Sequence, residues 1–252
     1  MGPTAILGAM QVDAAIIGGT GMGDRLMRLG GKALHVPTAA GVMRGRLVHV
    51  EGRSVFLASR HSVGHKVPPH RVNYAALALG LRALGVGVCF STAAVGSLRA
   101  DWERGSFAVP SDFLDVTGRN LTLFERQVVH TDFSEPFATR ARNAILDGAR
   151  ACGVVAHDGG VYVCGNGPRY ETPFEIELYK RVGGDVVGMT AASEAVLMRE
   201  AGVTYACLCV VTNLAAGMEA EALDHQDVVR EMDRAGEQAV AVLRAAISGL
   251  EP

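Results

Sequence analysis

Several groups of residues have types and spacing suited to chemistry on an anion and on a heterocycle. In "SRHSVGHKVPPHRVNY" (59–74), Arg60, His61, His65, Lys66, His70 and Arg71 crowd one segment of an otherwise nearly neutral protein. Arg60 followed at once by His61 offers a planar fork of donors plus a second donor to an oxyanion. A solvated basic loop is the plain alternative. A metal site is disfavoured, because no carboxylate is adjacent and His61 and His65 share a face only in a helix. "IIGGTGMGD" (16–24) is a Gly-rich turn after an apolar run. Such a turn can aim backbone N–H groups, and here the Thr20 hydroxyl, at a phosphate. It is neither a P-loop nor a dinucleotide turn, since Asp24 stands where the first needs Lys and the second Gly.

A third group, "GNGPRYETPFEIE" (165–177), holds three glutamates. Thr172, Pro173 and Glu175 have the spacing of a capping box with proline at the first helical position. Glu177, four residues before Arg181, makes an ordinary surface pair. Glu171 has no such duty; attraction to the helix N-terminus is its structural explanation, and ligand binding is the other. Asn213 ends an apolar run, and its amide can read a ring edge by donating and accepting or can make a turn. Met189 and Thr190 end another run before a helix, where Thr190 can donate to an anion or cap; Glu194 falls in that helix's first turn.

These residues need elements to hold them. Strands are expected at 13–21 (a buried strand entering the Gly-rich turn), 45–59 (a hairpin turning at Glu51-Gly52), 86–92, 106–117, 159–165, 185–190 and 203–213. Helices are expected at 71–85, 138–153, 172–183, 193–202 and from Asp224 to Gly249. Strands alternating with helices, and reading as continuous Val/Ile/Cys/Leu runs, imply a mixed, mostly parallel central sheet flanked by helices: an α/β fold in a single domain spanning 1–252, with 1–12 a loosely ordered extension. In such sheets ligands bind at strand C-termini, where Thr20, Ala94, Gly165 to Glu171, Met189, Thr190 and Asn213 all fall.

Composition narrows the function. The 252 residues carry 24 basic and 26 acidic side chains, a net charge of −2, which argues against a nucleic-acid or anionic-membrane binder. No run approaches the roughly 18 apolar residues of a membrane span. The opening "MGPTAILGAMQV" lacks the basic start of a signal peptide. Five cysteines, odd in number and mostly in apolar runs, fit free thiols in a reducing cytoplasm.

In this order, "GGTG", "SRHSVGHKVPPHRVNY", "TAAVGSL", "GPRYETPFE", "GMTAASEAVLMREAG" and "VVTNLAAG" resemble the trimeric purine nucleoside phosphorylase and methylthioadenosine phosphorylase family, over nearly the whole chain. The resemblance implies a phosphorylase-type fold and cleavage of a purine nucleoside by inorganic phosphate, with no metal or organic cofactor. It implies phosphate contacts from Thr20, Arg60, His61, Ala94 and Thr190. Nucleoside contacts are implied from Gly96, Tyr170, Glu171, Met189, Asn213 and His225, and from His130 of a neighbouring subunit in a homotrimer or dimer of trimers. Catalysis would rest on Asn213, Glu171 and His61. Members acting on 6-aminopurines carry Asp at the position of Asn213, and members acting on inosine and guanosine carry a Glu matching Glu171. That pair implies a 6-oxopurine substrate. His225 matches a residue that bonds a 5′-hydroxyl, while other segments are nearer the methylthioinosine and methylthioadenosine branch. Ala93 and Ser62 depart from the family, where Thr or Asn and Gly are usual. A nucleoside-binding protein without turnover is the alternative of another class.

Overall fold

The computed structural model describes residues 11–219 and 223–250. The elements run β1 (Ala14–Gly18), α1 (Met22–Arg28), β2 (Lys32–Thr38), β3 (Gly41–Val50), β4 (Arg53–Ser59), α2 (Tyr74–Ala83), β5 (Val88–Ser97), β6 (Phe107–Val109), β7 (Asp112–Asp115), α3 (Thr139–Ala151), β8 (Ala156–Asp158), β9 (Val161–Cys164), α4 (Pro173–Arg181), β10 (Val186–Gly188), α5 (Ala191–Ala201), β11 (Thr204–Leu214) and α6 (His225–Ser248). All described strands join one sheet, in the order β2-β3-β4-β1-β5-β10-β9-β7 with a branch from β5 through β11 and β6 to β8. Parallel pairings (β1 with β4 and β5, β5 with β11, β9 with β10 and β7, β6 with β8) outnumber antiparallel ones. The mixed, mostly parallel α/β architecture is therefore the one expected.

The alternation of side chains across each strand explains the continuous apolar runs. On β1, Ala15 and Ile17 face a core shared with α2 and α5, while Ala14 and Ile16 face a second core built with α1, α3 and α6. On β11, Cys207, Cys209 and Val211 enter the first core, and Ala206, Leu208 and Val210 the second. Both faces are covered, so both sets of side chains must be apolar.

Three details differ from the sequence reading. The segment 106–117 forms two strands rather than one: β6 pairs with β11 and β8, whereas β7 pairs with β9. Pro110 lies between them, and proline cannot donate to a ladder. Strands β2 and β8 and helix α1 are additional; the exposed positions of the two strands gave them no apolar run to be read from, and α1 continues what was read as a Gly-rich turn. Of the extension assigned to 1–12, residues 1–10 lie outside the described residues, while Val12 is buried and donates its N–H to the Leu84 carbonyl at 3.3 Å. Among the cysteines, Cys89, Cys164, Cys207 and Cys209 are buried and Cys152 is exposed, all as free thiols. No helix among the described residues is long and apolar enough to cross a membrane.

Strand β5 makes room for a site. Its first half pairs with β1 as far as Ser91, and on the same side β10 begins to pair only at Gly96. Between those points the strand edge at Ala93, Ala94 and Val95 opens into a cavity of about 420 Å3.

Candidate active site

Eleven of the twelve residues expected from sequence line this one cavity: Thr20, Arg60, His61, Ala94, Gly96, Tyr170, Glu171, Met189, Thr190, Asn213 and His225. They reach it from the C-terminal ends of β1, β4, β9, β10 and β11, from β5, and from the start of α6. His130 does not line it; it is exposed in the segment between β7 and α3. Among the described residues no three His, Cys, Asp or Glu side chains converge to hold a metal.

At one end the Gly turn after β1 meets Arg60. The turn's Gly18 carbonyl accepts from the Arg60 backbone N–H at 3.0 Å. A Cβ on Gly19 would fall 2.5 Å from Arg60 Nη1, so only glycine lets the turn lie against the guanidinium. Arg60 does not offer its whole fork to the cavity, as its position in sequence implied. Nε and Nη2 donate to the two carboxylate oxygens of Glu194 at 2.6 and 2.7 Å, and Nη1 donates to the Thr92 carbonyl at 2.8 Å. One hydrogen remains on each terminal nitrogen. Both side chains of the pair are essentially inaccessible to solvent. Burial alone would lower the Arg60 pKa, but the charge and hydrogen bonds of Glu194 outweigh it and hold the guanidinium protonated. Tyr205 continues the network, its hydroxyl donating to Glu194 Oε2 at 2.7 Å and lying 2.6 Å from Ser91 Oγ. Sequence reasoning placed Glu194 in a helix first turn and passed over Tyr205, Ser91 and Thr92; a Glu on a helix face that is otherwise small and apolar was the available signal.

His61 also differs from the donor expected. Its Nδ1 lies 2.8 Å from the Val67 carbonyl, which can only accept, so Nδ1 carries the hydrogen. Burial, then the neighbouring Arg60 charge, push its pKa down to about 3. The ring is neutral, and Nε2 is an acceptor. Its ring centroid lies 4.3 Å from that of His65, which in turn lies 5.6 Å from that of His225. Ser62 has φ 60 and His65 φ 52, both in the left-handed region; Ser62 thus bears strain where a glycine would not. Thr190 is the N-cap of α5, yet its side chain makes no capping bond, leaving its buried hydroxyl available.

At the other end stands the loop between β9 and α4. The capping box is formed as expected: Thr172 Oγ1 accepts from the Glu175 N–H at 3.2 Å and the Glu175 carboxylate from the Thr172 N–H at 2.7 Å. Arg169 forks onto Glu175 at 2.7 and 2.8 Å. That fork and the Thr172 amide hold the Glu175 pKa down, to about 2. Glu171 takes no part in the cap. Among the described residues no side chain donates to its carboxylate, which lies beside Gly165 (a Cβ there would be 2.9 Å from Oε1). Burial raises its pKa above the ordinary value, Glu175 adds in the same sense, and its own backbone amide and Arg169 oppose. Gly167, at φ 62, lets the loop close on the cavity floor, since a Cβ there would be 2.4 Å from Met189 Sδ.

Asn213 is aimed by a β-bulge. The pairing of β11 with β5 slips between Val211 and Asn213, so successive residues Thr212 and Asn213 both face the cavity. Asn213 Nδ2 donates to the Leu214 carbonyl at 2.7 Å, and Oδ1 accepts from Thr212 Oγ1 at 2.8 Å. The carbonyl can only accept, which sets the amide's orientation and leaves one Nδ2 hydrogen for a ligand. His225 is the first residue of α6 rather than the second, with Asp224 capping by accepting from the Gln226 N–H at 2.9 Å; Leu223 and Val228 line the cavity beside it.

The phosphorylase superfamily family model matches residues 13–248. A probable 6-oxopurine nucleoside phosphorylase of Moorella thermoacetica is 40% identical over 242 residues, covering 94% of this chain and 92% of that one. A probable S-methyl-5′-thioinosine phosphorylase of Methanopyrus kandleri is 37% identical, covering 96% and 94%. Among solved structures, the methylthioadenosine phosphorylase of Schistosoma mansoni in complex with adenine superposes with a TM-score of 0.88 at 29% identity, covering 94% of this chain and 91% of that one.

Proposed function

The chain belongs to the phosphorylase superfamily, and from that premise we propose that it is a purine nucleoside phosphorylase that cleaves 6-oxopurine nucleosides with inorganic phosphate. One observation carries the 6-oxo reading. The Glu171 carboxylate is half-buried without a side-chain donor, in the same cavity as a free Asn213 N–H. A 6-oxopurine presents N1–H to the first, and N7 or O6 to the second. Adenine has no N1–H and would leave Glu171 unsatisfied, a mismatch of about 1–3 kcal/mol.

The opposite end suits HPO4 2−. The Thr20 and Thr190 hydroxyls, the Ala94 backbone and the remaining Arg60 hydrogens donate, and His61 Nε2 accepts the oxyanion's single O–H. Phosphate oxygen bonds to C1′ as the C–N bond breaks, through a sugar of oxocarbenium character. The dianion held beneath C1′ is both nucleophile and counter-charge. The electron pair leaves with the base, where Asn213 donates to the developing charge. The proton balance closes: phosphate loses its hydrogen on becoming the ester, and the base gains one. Tyr170 packs on the base and Met189 lies under the sugar. Nothing in this sequence of events needs a metal or organic cofactor.

His225 supports a 5′-hydroxyl substrate such as inosine or guanosine. Leu223 and Val228 beside it support the second reading, a 5′-methylthio nucleoside. We place the reaction in the cytoplasm, consistent with the buried free thiols. We assign the active form as a homotrimer, or a dimer of trimers, in which His130 closes a neighbour's sugar site. Exposed Val128 and Val129 next to it support that assembly. The test is a panel of inosine, guanosine, methylthioinosine, adenosine and methylthioadenosine, with and without phosphate. Phosphate-dependent release of hypoxanthine or guanine is expected. Dominant adenine release would refute the Glu171 and Asn213 reading, release without phosphate would make the protein a hydrolase, and binding without turnover would leave a nucleoside-binding protein.

A further inference from the structure

Arg119 lies in the segment between β7 and α3 and contributes no wall to the cavity. Its guanidinium nevertheless joins two of the cavity's walls. On one side Nε donates to Asn166 Oδ1 at 3.1 Å and Nη2 to the Asn166 carbonyl at 2.6 Å, gripping the loop that carries Tyr170 and Glu171. On the other side Nη1 donates to the Met189 carbonyl at 3.0 Å and the Ser193 hydroxyl at 2.9 Å, and reaches the Tyr74 hydroxyl at 3.2 Å. The guanidinium also stands 5.5 Å from the centroid of the Tyr74 ring.

We propose that Arg119 is a positioning residue for the purine: it sets the distance between the loop bearing Glu171 and the floor at Met189. The inference rests on the nucleoside reading above. Among the described residues the loop between β9 and α4 has one backbone tie to the floor side, the Gly165 N–H donating to the Gly188 carbonyl at 2.8 Å. Beyond it, the hold on Asn166 is a fork from one guanidinium. A planar fork can bridge two acceptors on one wall and several on the other at once; an ammonium cannot. Misplacing a reading group by about 1 Å can cost on the order of a hundredfold in rate. Arg119 donates no hydrogen bond to Arg60, Glu194, His61 or Thr190, so its removal is expected to fall on the base end more than on the phosphate end.

The experiment measures hypoxanthine and inorganic phosphate binding separately by calorimetry, on the unmodified protein and on Arg119→Gln and Arg119→Lys, together with both KM values. Arg119→Gln is expected to weaken hypoxanthine by about tenfold or more and to raise the nucleoside KM likewise, with phosphate affinity changed by less than about twofold. Arg119→Lys, which keeps the charge but not the fork, is expected to fall between, about threefold to tenfold weaker for hypoxanthine. It decides the matter if Arg119→Gln does not fold. Unchanged hypoxanthine affinity, or equal weakening of both ligands, would overturn the assignment. Failure of the unmodified protein to bind a purine would instead overturn the nucleoside reading, and shows without any variant.

Discussion

The two ends of the cavity are built differently. At the phosphate end, Arg60, Glu194, Tyr205, Ser91 and Thr92 are buried and bonded to one another, and only a few donors are left over. At the base end, Glu171 and Asn213 keep free hydrogen-bonding capacity, and the loop holding Glu171 is steadied from outside by the Arg169–Glu175 pair and by the Arg119 fork. A buried charge needs a partner even when no ligand is present, so the anion end must be saturated in advance. The base end has no permanent charge to neutralise beyond a half-buried carboxylate. It can leave its reading groups unsatisfied until a purine supplies the match. On the proposed function, one end would serve a co-substrate that never changes and the other a base that few substitutions could exchange.

Four substitutions test that contrast, in decreasing order of expected effect. Glu194→Gln strands the Arg60 charge in the core and is expected to destabilise the protein by about 3–5 kcal/mol, read by chemical denaturation, with a raised phosphate KM. A wild-type stability would mean that the phosphate end does not depend on that pair. Asn213→Asp is expected to move the ratio of 6-oxopurine to 6-aminopurine turnover toward the amino substrates by about tenfold to a hundredfold, because a carboxylate accepts from a 6-amino group; phosphate KM should stay the same. An unchanged ratio would remove Asn213 from base reading.

Glu171→Gln should lower 6-oxopurine kcat/KM by about tenfold and leave denaturation unchanged. It also carries a pH signature. Burial raises the Glu171 pKa above the ordinary 4.5, and the protonated acid accepts from N1–H only through a neutral carbonyl oxygen, a weaker bond than the carboxylate makes. Inosine KM should therefore rise as pH falls through that raised value, above where an ordinary carboxylate titrates, and the Gln variant should lack this limb. A limb of the same shape in the variant would assign it to another group. Thr172→Ala removes half of the capping box and is expected to cost about 1 kcal/mol. Its effect should fall on stability, with the nucleoside KM barely altered, if Thr172 only caps the helix and Glu171 only reads the base. A nucleoside KM raised as much as in Glu171→Gln would merge them.

The sequence was most legible where the physics is local. The capping box from Thr172 to Glu175 and the Glu51-Gly52 turn each involve neighbours a few residues apart, and each formed as read. The apolar runs at 13–18 and 203–213 required a sheet covered on both faces. The partner of Arg60 was not legible, because Glu194 stands 134 residues away and nothing near Arg60 distinguishes a fork aimed at a ligand from one aimed at a carboxylate. The state of His61 depended on the Val67 carbonyl and on burial, which reversed its expected role from donor to acceptor. Arg119 went unnoticed for the same reason, since its acceptors lie in the loop between β9 and α4, at Met189, on α5 and on α2.

Sequence alone thus determined the elements, the class of fold and which residue types could meet an anion and a purine edge, since propensity, capping and side-chain period act over a few residues. The tertiary structure decided how those residues are used. The gap along β5 between its pairings with β1 and β10 opened the cavity, and the bulge before Asn213 aimed its amide. Burial then set which groups are already satisfied and which are left for a ligand. Register, burial and charge pairing are properties of segments brought together from across the chain, and no stretch of sequence carries them by itself.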